Sequence, residues 1–108
     1  MRDSIFSYHF PEPVAVPTPE WPDVNGRVFV RCLSADERDD YEDTLAKRLP
    51  HSAARLVVLA ACDAAGNPIF ETGDVERLGK TLAGPVHRLW KAAWKLAAGD
   101  GVEAAVKN

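Results

Sequence analysis

Four aspartates lie together on one predicted helix, and carboxylates grouped in this way can bind a divalent cation or a basic partner. Asp36, Asp39, Asp40 and Asp43 fall within about 100° of one another at helical spacing. The spacing of a calcium-binding loop is absent, however, and a row along a helix cannot surround an ion as a loop does. The group therefore indicates a solvent-exposed acidic face first, a surface for a basic protein second, and a metal site least of all.

Indole rings and cations lie side by side on a second predicted helix, which begins at Pro85 and ends near Ala98. Its apolar face spans about 160° or more, whereas a face that only meets the core of its own domain needs about 100°. That face consists of Val86, Leu89, Trp90, Ala93, Leu96 and Ala97, with Trp94 at its edge. The excess apolar surface predicts contact with a partner. The alternative is that both tryptophans are core residues.

Basic side chains border this apolar face. His87, Lys91 and Lys95 follow one another at i, i+4 steps beside Trp94, and Arg88 lies close by. Tryptophans next to cations are typical of the residues that dominate protein interfaces. The candidate partner-binding residues are therefore His87, Arg88, Trp90, Lys91, Trp94 and Lys95. The same cations could contact phosphate, but so few of them on an acidic protein give little support to that interpretation.

Residues that could support catalysis or hold a cofactor form no motif in this sequence. His9, His51 and His87 lie far apart, and no serine or cysteine stands near them in a nucleophile pattern. The glycines match neither glycine-rich phosphate motif. Cys32 and Cys62 lie in apolar stretches, which indicates buried thiols; a disulfide stays open, and the lack of a CxxC pair argues against zinc. We therefore predict a non-catalytic protein without cofactor or metal.

The composition indicates one soluble globular domain. The chain has 108 residues, of which 46% are hydrophobic and 27% charged, values near the average for such domains. A net charge of −3 lacks the basic excess of most nucleic-acid-binding domains. The longest apolar run, 56–62, is far shorter than the ~20 residues of a membrane span, and residues 1–4 do not begin a signal peptide. We expect a cytoplasmic location, with no membrane or nucleic-acid partner.

Proline divides the chain into two parts. Residues 1–26 contain five of the eight prolines. Because proline fixes φ and lacks an N–H, this segment is predicted to be an extended arm and not a helix or a central strand. Its aromatic side chains predict that part of the arm docks on the domain or on a partner; they are Phe6, Tyr8, Phe10 and Trp21. Residues 27–108 are predicted to form a single domain.

Local patterns place the first elements of this domain. A β-rich strand is predicted over 28–33, with Val28, Val30 and Cys32 on one face. Ser34 with Glu37 then has the spacing of a capping box, for a helix that ends near Leu49. The apolar run 56–62 is ambiguous between a buried strand and a buried helix. Its shortness and the turn residues that follow it favour the strand.

The later elements complete an α+β fold. They are a turn over 63–68, a return strand over 68–70, a short helix from 72–74 to Leu82, the helix from Pro85, and a last short helix capped by Asp100 and Glu103. Together these patterns predict a small, mainly antiparallel sheet of about three strands, with three or four helices packed on it.

The order of several short motifs carries the argument further. The most specific is D-x-x-G-N-P-I-F over 63–70, which leads into the D-V-E-x-L motif of 74–78. Val28-Phe29-Val30-Arg31 and the acidic helix precede these motifs, and Leu89-Trp90 and the ending over 102–108 follow them. In this order and length, residues 27–108 resemble the tail assembly chaperones of long-tailed bacteriophages and prophages. The resemblance does not extend to the proline-rich arm.

The resemblance implies a non-catalytic role in the assembly of phage tails. Such chaperones coat the long helical tape-measure protein, keep it soluble, help to recruit tail-tube subunits and leave before the virion is complete. It therefore implies tape-measure and tail-tube proteins as partners, and the host cytoplasm as the location. From the residues alone, a small bacterial interaction adaptor unrelated to phage stays an alternative, and a nucleic-acid-binding module a less favoured one. A homo-oligomer is compatible with each.

Overall fold

The computed structural model describes residues 1–98, over which it has five α-helices and three short strands. The helices are α1 (Arg2–Phe6), α2 (Ala35–Ala46), α3 (Ser52–Ala60), α4 (Val75–Gly79) and α5 (Ala83–Ala97); the strands are β1 (Val14–Pro17), β2 (Arg27–Val30) and β3 (Ala61–Cys62). This arrangement confirms the predicted α+β class. The helix predicted to be capped by Asp100 and Glu103 lies outside the described residues. Among those described, no helix is long and apolar enough to cross a membrane.

Strand β2 lies in the middle of the sheet and pairs antiparallel with β1 on one side and β3 on the other. Val16 of β1 lies opposite Val28, and Val30 lies opposite Ala61; all four side chains are buried. Phe29, between the two valines of β2, is only half-buried. The shared face predicted for Val28 and Val30 is therefore confirmed, and one face of the small sheet forms part of the core. The strand is shorter than predicted, because it ends at Val30 and not at Leu33, so Cys32 lies outside it.

Helix α2 begins at the predicted capping box. The Ser34 hydroxyl accepts a hydrogen bond from the Glu37 backbone N–H at 3.1 Å, and the Glu37 carboxylate accepts one from the Ser34 N–H at 2.9 Å. The same carboxylate accepts two bonds from the Arg31 guanidinium, at 2.6 and 2.9 Å. Because Arg31 directly follows β2, this pair ties the start of the helix to the end of the central strand.

Helix α2 ends at Ala46, three residues before the predicted end at Leu49. Arg48 adopts a positive φ of 55°, which turns the chain away from the helix axis. The N–H groups of Arg48 and Leu49 then bond back to the carbonyls of Leu45 and Thr44. This closure satisfies two of the carbonyls that a helix end leaves without partners, so the helix stops before Pro50 would force it to.

The apolar run 56–62 is mainly helix, so the prediction of a buried strand there is wrong. Helix α3 extends to Ala60, and only Ala61–Cys62 form a strand. The helix contacts α2, α4 and α5, and four of its side chains are buried: Ala54, Leu56, Val57 and Ala60. A helix covered on so many sides needs few polar positions. The amphipathic period that would have identified it is therefore missing from the run.

The predicted hairpin is reduced to its turn. The Asp63 carboxylate accepts hydrogen bonds from the backbone N–H groups of Ala65 and Asn67, at 3.0 and 2.9 Å, and this holds the turn. The return strand predicted over 68–70 is only a single bridge between Cys62 and Pro68. Proline has no N–H with which to continue the ladder.

The two helices predicted after the hairpin both form, with different ends. A 3₁₀ turn over Thr72–Asp74 leads into α4, which stops at Gly79 and not at Leu82. Leu78 of α4 is buried, whereas Leu82 is 62% exposed. The long helix predicted from Pro85 to about Ala98 is observed as α5, Ala83–Ala97.

Part of the predicted N-terminal arm docks on the domain. Strand β1 lies within residues 1–26 and adds an edge to the sheet, and Trp21 packs against the core. Residues 1–10 differ from these, because every one of them is exposed. The prediction that the arm contains no helix is wrong here, since Arg2–Phe6 form α1. The prolines of the arm begin only at Pro11, so they do not prevent a helix before that position. The division into an arm of 1–26 and a domain of 27–108 stays a prediction, but the sheet includes residues from both sides of that boundary.

We expect the protein to lose stability in acid through Glu37. The hydrogen bonds from Arg31, assisted by those from Ser34, lower the pKa of the Glu37 carboxyl to about 2. A lowered pKa in the folded state means that this contribution is fully present above the unfolded value, 4.5, and is lost as the pH falls towards 2. Glu37→Gln should therefore lose about 1–2 kcal/mol at pH 7, measured by urea unfolding.

The pH dependence of stability distinguishes the contribution of Glu37 from that of other carboxyl groups. Between pH 7 and pH 3 the stability of Glu37→Gln should fall less than that of the unaltered protein. Glu42→Gln is the matched control, because Glu42 also pairs with an arginine, Arg38, but is exposed. This substitution should change the free energy of unfolding by less than about 0.5 kcal/mol. An unchanged pH dependence in Glu37→Gln would contradict this role.

Candidate protein-binding site

Helix α5 carries the candidate residues, and its packing decides which of them face outward. Val86, Leu89 and Ala93 are buried on the side of α5 that packs against α3. At the C-terminal end, the Arg38 guanidinium of α2 donates a hydrogen bond to the Ala97 carbonyl at 3.1 Å. That carbonyl is one of those that a helix end leaves without an internal partner. The helix is thus held along its inner face and at its end.

The Tyr41 side chain joins three helices beneath this site. It is 3% exposed, and its hydroxyl donates to the Ser52 carbonyl at 2.9 Å and accepts from Trp90 Nε1 at 3.1 Å. Its ring meets Trp94 edge to face, with centroids 5.7 Å apart, a favourable aromatic geometry. Burial raises the pKa of Tyr41, although the hydrogen bond from Trp90 acts in the opposite direction. The hydroxyl is therefore protonated at neutral pH and can donate and accept at once.

The two indoles of α5 are each half-buried, so neither is wholly a core residue and neither is fully exposed. Both pack against the core, and both contact Tyr41. His87 is exposed, and its ring lies edge-on to Trp90 with centroids 6.5 Å apart. The structure thus brings three predicted site residues, His87, Trp90 and Trp94, into one aromatic patch.

Two lysines lie next to this patch on the outer side of α5. Lys91 and Lys95 are exposed, and within residues 1–98 neither ammonium group is within ion-pair distance of a carboxylate. Their charges therefore face solvent. We call His87, Trp90, Lys91, Trp94 and Lys95 together the indole–lysine surface. Its role in binding a partner stays a prediction.

Arg88, the sixth candidate residue, is held in a contact within the chain. Its guanidinium donates two hydrogen bonds to the Glu20 carboxylate, at 2.8 and 3.0 Å, and one to the Pro17 carbonyl at 2.8 Å. These bonds hold the pKa of Glu20 at about 2. The pair fastens the chain after β1 to α5. Of the candidate residues, Lys91 and Lys95 are the cations that form no ion pair within residues 1–98. Glu20 and Arg88 are 68 residues apart, so no local pattern could have linked them.

A groove lies between α2, α3 and the segment 68–75, and the sequence does not reveal it. It has a volume of about 420 Å³ and a mainly apolar lining. Val58, Phe70 and Val75 are among its apolar residues, and Asp40 and Arg55 are among its charged ones. These residues come from separate segments of the chain, so the groove exists only after folding. We call it the hairpin groove.

The predicted acidic face is a solvent-exposed surface. Asp36, Asp39, Asp40 and Asp43 are all exposed, and Asp43 forms an ion pair with Lys47 at 2.8 Å. In the part of the chain that the structure describes, no three His, Cys, Asp or Glu side chains are grouped so that they could hold a metal ion. The arrangement therefore provides charge that faces solvent or a basic partner.

The two cysteines are free thiols. Cys62 is buried in β3, as predicted, whereas Cys32 lies past the end of β2 and is half-buried. Burial raises the pKa of both thiols, which keeps them protonated at neutral pH. Raised pKa values make these thiols poor nucleophiles.

The architecture described above is a three-stranded antiparallel sheet with α5 packed against β1 and β2, and with α3 packed against α2, α4 and α5. This architecture is that of a phage tail assembly protein of known structure. The tail assembly chaperone of bacteriophage HK97 matches this chain with a TM-score of 0.64 and 21% sequence identity, over 89% of this chain and 95% of that one. No family model matches the sequence, and no curated protein matches it. The likeness shows a common fold and confirms the α+β fold that the local sequence patterns predict.

We expect Tyr41→Phe to destabilise the protein by about 1–3 kcal/mol, because it leaves the Trp90 N–H and the Ser52 carbonyl without their partner while the ring packing is kept. Urea unfolding measures the change. Tyr8→Phe is the matched control, because Tyr8 is 69% exposed. This substitution should change the free energy of unfolding by less than about 0.5 kcal/mol. Equal stabilities of the two variants would contradict the role given to the Tyr41 hydroxyl.

Proposed function

We propose that this protein is a tail assembly chaperone, a non-catalytic protein that binds the tape-measure protein while a phage tail is assembled. The observation that carries the proposal is the common fold with the HK97 tail assembly chaperone over most of both chains. The order of motifs in residues 27–108 supports it separately, because it depends on the residues and not on the fold.

The indole–lysine surface is the site that we propose for the tape-measure protein. Trp90 and Trp94 offer apolar area at the surface, and their inner edges are already held by Tyr41. Because the rings are ordered before binding, little side-chain entropy is lost when a partner covers them. Such a surface fits the apolar stripe of an amphipathic helix. Lys91 and Lys95, which border the rings, would pair with acidic side chains beside that stripe.

The remaining surface suits a protein that keeps a partner soluble. A long helix with an uncovered apolar stripe tends to aggregate. With its stripe against α5, the partner would acquire an outer surface that includes the exposed aspartates of α2, and this charge disfavours further association. We propose that the protein does this in the host cytoplasm, helps to recruit tail-tube subunits, and is absent from the mature virion.

Co-expression tests the proposal. The tagged protein is produced together with the tape-measure protein from the same locus, and the amount of tape-measure protein that co-purifies is measured. We expect a soluble complex with the unaltered chain and a loss of at least about tenfold with Trp94→Ala, which corresponds to ~1.4 kcal/mol of binding free energy. The double variant Lys91→Glu/Lys95→Glu should also reduce recovery without unfolding the protein, because both side chains are exposed.

A third tryptophan provides the matched control. Trp21 is also half-buried and packed against the core, but it lies outside the indole–lysine surface. Trp21→Ala should therefore lose stability and still recover the tape-measure protein. If Trp21→Ala and Trp94→Ala reduce the recovery of tape-measure protein equally, the reduction is due to lost stability, and the indole–lysine surface is not the binding site. No complex with the unaltered chain would overturn the function.

A further inference from the structure

The prolines of the arm stand at alternate positions in and around strand β1. Every odd position from 11 to 19 is a proline except Ala15; these prolines are Pro11, Pro13, Pro17 and Pro19. In an antiparallel sheet the backbone N–H and C=O of one residue point to one side of the strand, and those of the next residue point to the other side. The spacing therefore places the missing N–H groups together on one edge of β1.

Two hydrogen bonds identify which edge this is. The N–H of Thr18, directly after β1, donates to the Gly26 carbonyl at 2.7 Å on the side of β2. The carbonyl of Pro17 accepts a hydrogen bond from Arg88 of α5 at 2.8 Å, so it is turned away from β2. By the same alternation, the even-numbered residues of β1 bond to β2, and the odd-numbered residues face outward.

The alternation also fixes the register in which the arm docks. Val16 lies opposite Val28, and both side chains are buried. A shift of the arm by one residue would turn Val16 towards solvent. It would also bring the nitrogen of Pro17, which carries no hydrogen, against β2. The shifted arm would thus lose apolar burial and ladder hydrogen bonds together, so the observed register is strongly preferred.

On its outer edge, β1 has little to offer another strand. Neither Pro17 nor Pro13, directly before the strand, has an N–H, so Ala15 supplies the one outward backbone donor of β1. The Pro17 carbonyl already accepts from Arg88. A strand edge with a row of unpaired N–H and C=O groups is a template for pairing with another chain, and proline at such an edge prevents the pairing.

The opposite edge of the sheet is covered by the chain itself. Strand β3 has only two residues, and Cys62 forms a bridge with Pro68 on its outer side. The N–H of Asp63, directly after β3, donates to the Asn67 carbonyl at 2.9 Å. The returning hairpin therefore occupies this edge, and it too presents a proline.

We propose that the alternate prolines close this three-stranded sheet to strand addition, because they give β1 a single edge on which it can pair and that edge is taken by β2. An extended peptide or an unfolded chain would then find no backbone ladder to join at β1. A partner must instead be recognised through side chains, as on a helix surface. This closure goes beyond the proposed function and does not depend on it.

Proline substitution at two neighbouring positions tests which edge is which. Val14 and Ala15 are both exposed, but the N–H of Val14 faces β2 and that of Ala15 faces outward. Val14→Pro should lower the melting temperature by about 5 °C or more, because it removes a ladder hydrogen bond, whereas Ala15→Pro should lower it by less than about 2 °C. Equal losses in the two variants would overturn the assignment of the edges.

Removal of prolines tests the closure itself. Pro13→Thr/Pro17→Thr restores two outward N–H groups, so this variant should fold, by circular dichroism, and then form aggregates that bind thioflavin T. Pro19→Thr/Pro22→Thr is the matched control, because it removes as many prolines from the arm but outside β1. Like the unaltered chain, this control should form no such aggregates.

A third substitution separates strand pairing from general instability. Adding Ala15→Pro to Pro13→Thr/Pro17→Thr puts one proline back on the outer edge and should suppress the aggregates. Aggregates that persist in this triple variant, aggregates in the control, or a folded Pro13→Thr/Pro17→Thr variant without aggregates would each overturn the closure. No partner protein is present in these experiments, so their outcome is separate from a failure of the proposed function.

Discussion

The buried hydroxyl of Tyr41 is the contact on which the arrangement of the helices depends. A hydroxyl enclosed by protein must form its hydrogen bonds there, because leaving one unmade costs about 1–3 kcal/mol. This one reaches the Ser52 carbonyl at the start of α3 and the Trp90 N–H of α5, while Tyr41 itself belongs to α2. One side chain therefore links three helices, and its ring also contacts Trp94 of α5 edge to face.

The same contact explains the form of the α5 surface. Tyr41 holds Trp90 and Trp94 by their inner edges, so each ring is largely covered by the protein and keeps a smaller part open to solvent. On another side of α5, Arg88 is turned towards Glu20 and the β1 carbonyl. The helix thus presents cations and aromatic rings together on a side that is partly open to solvent within residues 1–98. A single helix contributes both to the stability of the domain and to a surface that is open to a partner.

The features that the sequence predicted well depend on residues that are close together in the chain. The Ser34–Glu37 capping box spans one helical turn, and the alternation of β2 needs only a neighbouring face to bury. The extent of α5 follows from an amphipathic pattern over fifteen residues. The run 56–62 was misassigned because all of its residues are apolar, so no helical period can be seen within it. The polar residues of α3, Ser52 and Arg55, come before the run. The ends of α2 and α4 also differed, since each depends on how the chain turns away after it.

By itself, the sequence determined the α+β class, the start of α2, the buried face of β2, and the presence of indoles and cations on one long helix. Each of these follows from a local pattern, and local hydrogen bonding or apolar periodicity is enough to produce it. Only the tertiary structure decided that α3 is a central helix, that Arg88 pairs with Glu20, and that the hairpin groove exists. These features join segments that are distant in the chain, and their contacts form only when packing brings those segments together.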